Sequence, residues 1–228
     1  MNPQERAQQS NGQPAAAMPG DDMEVGRTAR KRRAILQAAT EVFLQSGYLG
    51  ASMDQVAARA AVSKQTVYKQ FEDKEHLFAE IILGTNDQVV SGFAQAANDL
   101  DQTTDAQQGL RKVARGFIEI LTQPDVIRLR RLVMAEADRF PALSGAWFER
   151  GFHRSLVLLG EAMQRLADRG ILRDLPDPTL AAYQFAGLIM YKPMNQVMFL
   201  GTLAGPPVDE LERIADEAVK VFLAAYSH

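Results

Sequence analysis

Lys64, Gln65, Thr66, Tyr68 and Lys69 crowd a short stretch in which Val67 is the only apolar residue, with Phe71 just beyond. On a helix Val67 and Phe71 share a face, so the polar groups between them are left to point elsewhere. Their chemistry matches the edges of base pairs. A glutamine amide can pair with adenine through two hydrogen bonds, a lysine can reach guanine acceptors, and a threonine methyl can touch the methyl of thymine. Tyr68 and Lys69 lie further along and suit phosphate oxygens. A second set of cations, Arg27, Arg30, Lys31, Arg32 and Arg33, stands upstream and can grip the backbone or reach into a minor groove. Other chemistries find no such pattern. Gly47 and Gly50 have the wrong spacing for a phosphate loop and no Lys-Ser/Thr after them. No Ser-His-Asp grouping stands out. His76, His153 and His228 are scattered, and although Glu149 and His153 can share a helix face, a metal site needs more ligands than two.

A stretch as short as 64–70 is not a stable helix alone, so other elements must hold it. The spacing predicts a first helix over 28–46, with Ile35, Ala39, Val42 and Phe43 inward and Gly47 as its stop. Ser52 with Gln55 three residues on forms a capping box and opens a second helix that runs to about residue 60. The turn Ala61-Val62-Ser63 follows, and the Ser63 hydroxyl is placed to cap the third helix. Ala57 is small enough to let the third helix cross closely, and Val62 plugs the corner. A fourth helix begins at Asp73 or Lys74 and passes Val90. Helix starts favour phosphate. The candidate DNA contacts are therefore Arg30, Arg32, Arg33, Ser52, Met53, Ser63, Lys64, Gln65, Thr66, Tyr68, Lys69 and Lys74.

This stretch resembles the TetR family of repressors. The residues that carry the likeness are Ser52, Val56-Ala57, Ala60-Ala61-Val62-Ser63, Thr66-Val67-Tyr68, Phe71 and Lys74-Glu75-His76-Leu77. Ala61 stands where that family usually has glycine, at a left-handed turn position where a Cβ costs roughly 1 kcal/mol. The resemblance implies an all-α homodimer, with a three-helix helix-turn-helix head and a six-helix C-terminal body. It implies a transcriptional regulator that binds a palindromic double-stranded operator and is released by a small-molecule effector. Its last two long helices would form the dimer seam. The body would hold an apolar cavity. Met and aromatic side chains make adaptable walls, so the candidates there are Phe117, Met134, Trp147, Phe148, Phe152, Phe185, Met190 and Met194. Glu136 is either a buried acid in that cavity or the partner of a nearby arginine.

Charge is distributed as this reading requires. The net charge is −3, yet residues 27–78 carry nine Lys/Arg against five Asp/Glu, a basic segment on an acidic chain. The chain has no cysteine, which excludes disulfides, cysteine zinc sites and thiol chemistry, and neither a metal nor a cofactor is expected. Residues 1–26 are rich in Gln, Ala, Pro, Asn and Gly and read as a disordered tail without a secretory core. The domain division is thus 1–26 tail, 27–78 head and 79–228 body. The most apolar stretch, 180–203, is interrupted by Gln184, Lys192, Pro193, Asn195 and Gln196. It reads as a buried or interface helix rather than a membrane span, with Pro193 expected to kink it. A long helix over 142–168 is expected to bury Phe148, Phe152, Leu156, Leu159, Met163 and Leu166 on one face. A cytoplasmic location fits these features. The competing classes are a helical enzyme or small-molecule carrier with a head that does not bind DNA, and an adaptor whose head binds protein. The polar face of 64–69 argues against both.

Overall fold

The computed structural model describes residues 19–200 and 206–228. Every regular element among them is helical: α1 (Pro19–Gly50), α2 (Met53–Arg59), α3 (Lys64–Phe71), α4 (Lys74–Asp101), α5 (Ala106–Leu121), α6 (Pro124–Ala135), α7 (Pro141–Trp147), α8 (Arg154–Asp168), α9 (Pro178–Phe199) and α10 (Val208–Tyr226). Between α7 and α8 the chain stays helical through a π-helical segment, Phe148–His153, so 141–168 is one continuous rod. α9 runs through Pro193 without ending. α1 starts at Pro19, well ahead of the expected position, and this part of the expected tail is helix. The expected tail over 1–18 lies outside the described residues, as do the last three residues of the apolar stretch.

Most boundaries have local causes. Gly47 ends the straight part of α1 with φ 68°, ψ 176°, a left-handed value that glycine adopts without steric cost. The capping box of α2 forms: the Gln55 amide N–H donates to Ser52 Oγ at 3.2 Å, and the Ser52 N–H donates to Gln55 Oε1 at 2.8 Å. Ser63, Asp73, Asp105 and Asp177 cap α3, α4, α5 and α9 with the side chain alone, each accepting the N–H three residues on. α6 stops at Ala135. Pro141 disfavours helical backbone at Phe140 just before it.

The apolar side chains gather in two clusters. The larger one fills the body, where α8 packs against α4 and α9 while α5 packs against α4 and α10. The smaller one fills the head around Ile35, Phe43, Val67, Phe71 and Phe78, yet it also takes in Leu129 and Val133 of α6. Phe43, Tyr48, Phe78 and Phe140 form a joint of contacting rings, with Phe43–Phe78 and Tyr48–Phe78 centroids 5.1 Å apart and Tyr48–Phe140 4.7 Å. The packing therefore crosses the 78/79 division, and the head rests on the body through α6 and this aromatic joint.

Candidate nucleic-acid interface and body cavity

α3 stands on two anchors. Val67 and Phe71 are 0% and 3% exposed, and burying each is worth about 1.5–3 kcal/mol. That packing supplies what so short a helix lacks. Lys64, Gln65, Tyr68 and Lys69 are left exposed and Thr66 half-exposed. Thr66 and Ser63 hydroxyls are 2.8 Å apart, and the Thr66 N–H donates to Ser63 Oγ at 3.2 Å. Lys64 Nζ lies 2.7 Å from Asp54 Oδ1, and that hydrogen-bonded carboxylate raises the lysine's pKa. The pair is exposed, so it contributes little and a DNA acceptor can replace Asp54. Ala61 adopts φ 53° in the turn, the left-handed value expected where the family prefers glycine.

Several expected contacts take other places. Met53 is 5% exposed and belongs to the head core: it opens α2 pointing inward while its neighbour Ser52 points out. Arg32 is a brace. It pairs with Glu80, donates from Nη1 to Gln70 O at 3.4 Å and lies 4.5 Å over the Phe71 ring, tying α1 to α3 and α4. Lys74 donates to the carbonyls of Tyr48 and Ala51 at 2.9 and 3.0 Å, with its ammonium 4.4 Å over the Tyr48 ring. It satisfies the carbonyl end of α1 rather than standing ready for a phosphate. Arg30 and Arg33 are exposed. Ser52 and Ser63 are exposed as well, each serving as a cap.

The body contains a cavity between α4, α5, α6 and the 141–168 rod. Phe117, Trp147 and Phe152 line it, joined by Asn86, Phe93 and Arg130 among others. Phe93 and Phe117 rings contact at 4.0 Å. The space open to a water centre is about 20 Å³, enough for one water. The other expected wall residues lie elsewhere. Phe185 is buried against Phe222 in the body core, and Met190 is buried in the same core. Met134 is 61% exposed, one turn beyond Arg130 where that face of α6 emerges from the body. Phe148 is exposed because it lies in the π-helical segment. A wider turn shifts every earlier side chain around the axis, so the period counted back from Leu156 fails there. Met194 accepts a hydrogen bond from Arg130 Nη1 at 3.6 Å, behind the cavity wall. Glu136 sits 3.6 Å from Arg139 and is not in the cavity.

Sequence reasoning missed Asn86 and Arg130. Buried Asn86 donates from Nδ2 to the Trp147 carbonyl at 2.7 Å, pinning α4 to the start of the π-helical segment. A Cβ on Gly151 would fall on the Asn86 amide, so this close approach requires glycine there. Arg130 carried a legible signal: it shares the apolar face of α6 with Val126 and Val133. Among the described residues no group of three His, Asp or Glu is arranged to hold a metal ion, and no helix is long and apolar enough to cross a membrane.

Two family models match this chain. One describes bacterial regulatory proteins of the TetR family and covers 35–81, which contains α2 and α3 whole. The other describes the C-terminal domain of AefR-like transcriptional repressors and covers 108–228, more than half of the chain. The chain belongs to the TetR family. A crystal structure of a TetR-family regulator from Mesorhizobium loti MAFF303099 is 42% identical, with a TM-score of 0.83 over 89% of this chain and 99% of its own. FrrA, a flavonoid-responsive regulator, is 27% identical with a TM-score of 0.66, covering 87% of this chain and 98% of its own. The transcriptional activator FasR of Mycolicibacterium smegmatis is 40% identical over 91 residues, 40% of this chain and 40% of FasR. TetR-family membership agrees with the all-helical fold and with the helix-turn-helix of α2 and α3.

Proposed function

We propose that this protein is a sequence-specific DNA-binding repressor, released from a palindromic operator when a small apolar or amphipathic molecule occupies its body. The observation that carries the proposal is the polarity of α3: Lys64, Gln65, Tyr68 and Lys69 exposed above a buried Val67 and Phe71. Gln65 and Lys64 read base edges in a major groove, Thr66 touches a thymine methyl, and Tyr68, Lys69, Arg30 and Arg33 hold phosphates. The acting form is a homodimer in the cytoplasm, joined through α9 and α10. Leu188, Tyr191 and Val221 stand exposed on those helices, Tyr191 to 77%, and an apolar patch of this kind calls for a cover. Two copies would then hold their α3 helices about 34–36 Å apart, one helical turn of DNA. Repression rather than activation is supported by the AefR-like repressor match over the body.

The cavity gives the ligand its leverage. Anything larger than a water must part the walls, and one wall is α4, the helix that leads out of the head. Trp147 touches both the cavity and the head cluster. A ligand that binds the parted state better draws the dimer away from its DNA-bound geometry.

Binding to the DNA upstream of the protein's own reading frame, measured by fluorescence anisotropy across a salt series, tests this. Affinity is expected to fall steeply with salt as phosphates are neutralised. Gln65→Ala is expected to lose roughly 1–3 kcal/mol on the operator and nothing on random duplex, while Lys69→Ala weakens both alike. Salt-independent binding, or equal losses on both DNAs for Gln65→Ala, would overturn the assignment.

A further inference from the structure

Arg130 is a cation in an apolar place. It lines the cavity beside Phe117, Trp147 and Phe152, and its Nε is buried with no hydrogen-bond partner. Its contacts are the Met194 sulfur at 3.6 Å and the face of the Trp147 ring at 5.4 Å, and no carboxylate pairs with it among the described residues. Burial alone moves the guanidinium below its ordinary pKa. A thioether is a weak acceptor, so most of the guanidinium's donors remain unspent. The neighbouring polar groups do not compete for a ligand in the same way. Thr85 and Ser155 donate their hydroxyls to the carbonyls of Ile81 and Gly151, and Asn86 donates to Trp147.

We infer that the effector is an organic anion, a carboxylate on an apolar or aromatic body, whose charged end pairs with Arg130. The inference rests on the reading of the cavity as a ligand site and names the chemical class that site selects. A half-buried charge without an anionic partner is costly, and pairing it with an anion recovers part of that cost. The planar guanidinium, 5.4 Å from the Trp147 ring centroid, offers a carboxylate two parallel hydrogen bonds. The aromatic walls take the apolar body. The signal has a short path, because Leu129, adjacent to Arg130, is packed in the head cluster.

Calorimetry and thermal shift on the full chain test this, using octanoate, decanoate and 3-phenylpropionate, each against its primary alcohol. The acids are expected to bind roughly ten- to a hundredfold tighter than the alcohols, the range of a charge-assisted hydrogen-bonded pair. Arg130→Met should lose that preference, keep its affinity for the alcohols, and melt at or above the parent without ligand because the unpaired charge is gone. Arg130→Lys should retain part of the preference. The acid–alcohol comparison in the unaltered protein stands whether or not either variant folds. Equal binding of acid and alcohol would overturn the anion inference and leave the cavity as a ligand site. So would an Arg130→Met protein that melts lower and keeps the acid preference, since Arg130 would then be structural. Absence of binding by every acid and alcohol, with operator affinity unchanged, would overturn the ligand-site reading along with it.

Discussion

The head and the body place their working side chains in opposite ways. On α3 they point outward, each carried by one short helix whose two buried residues determine its orientation. In the cavity they point inward and converge from α4, α5, α6 and the rod over 141–168. An outward face is a property of a few consecutive residues and their period. An inward face exists only after several helices have packed. The head can therefore tolerate change around its proposed reading surface, whereas the proposed ligand site of the body depends on every wall that encloses it.

The aromatic joint between the two regions offers the largest test. Phe78 is fully buried among Phe43, Tyr48 and Phe140. Phe78→Ala is expected to cost about 3–5 kcal/mol in denaturant unfolding, with one cooperative transition if head and body are coupled through the joint. Two separated transitions would break the picture of a head that rests on the body.

Next comes the body alone. Gly151→Ala forces its new Cβ against the Asn86 amide and is expected to cost about 1–3 kcal/mol. Combined with Asn86→Ala the cost should fall below the sum of the singles, because the two changes act on one contact. Strict additivity would remove the pin between α4 and the π-helical segment.

A smaller effect of opposite sign is expected in the head. Ala61 is exposed and held at φ 53°, so Ala61→Gly should raise stability by roughly 1 kcal/mol with DNA affinity unchanged. A loss of stability would mean that the turn is not strained.

The smallest is a pH effect at the start of α4. The hydrogen bond that the His76 ring donates to the Asp73 carboxylate, 3.0 Å away, raises the His76 pKa. A raised value in the folded state means that the protonated pair stabilises the protein fully below histidine's ordinary value of about 6.5. The contribution is lost as pH rises through the raised value. The gap in melting temperature between the parent and His76→Gln should therefore be wider at acid than at alkaline pH. A constant gap would count against the pair.

The helices of the head, the long helix over 142–168, the caps at Ser52 and Ser63, the turn at Ala61 and the outward face of α3 were legible in the chain. Each depends on residues no more than a few positions apart, within reach of one another whatever the rest of the protein does. Three kinds of feature were not legible. Lys74 and Arg32 read as phosphate cations, but their partners lie on α1, α3 and α4, far off in sequence. Phe148 read as core, but a π-helical turn rotates it out, and a widened turn leaves no periodic trace. Arg130 was legible as a cation on the apolar face of α6, but its place in the cavity was decided by the helices that close around it. Local spacing determines what a helix presents, and only the packed molecule decides what that face meets. Burial and charge pairing are sums over neighbours that the linear order of residues does not contain.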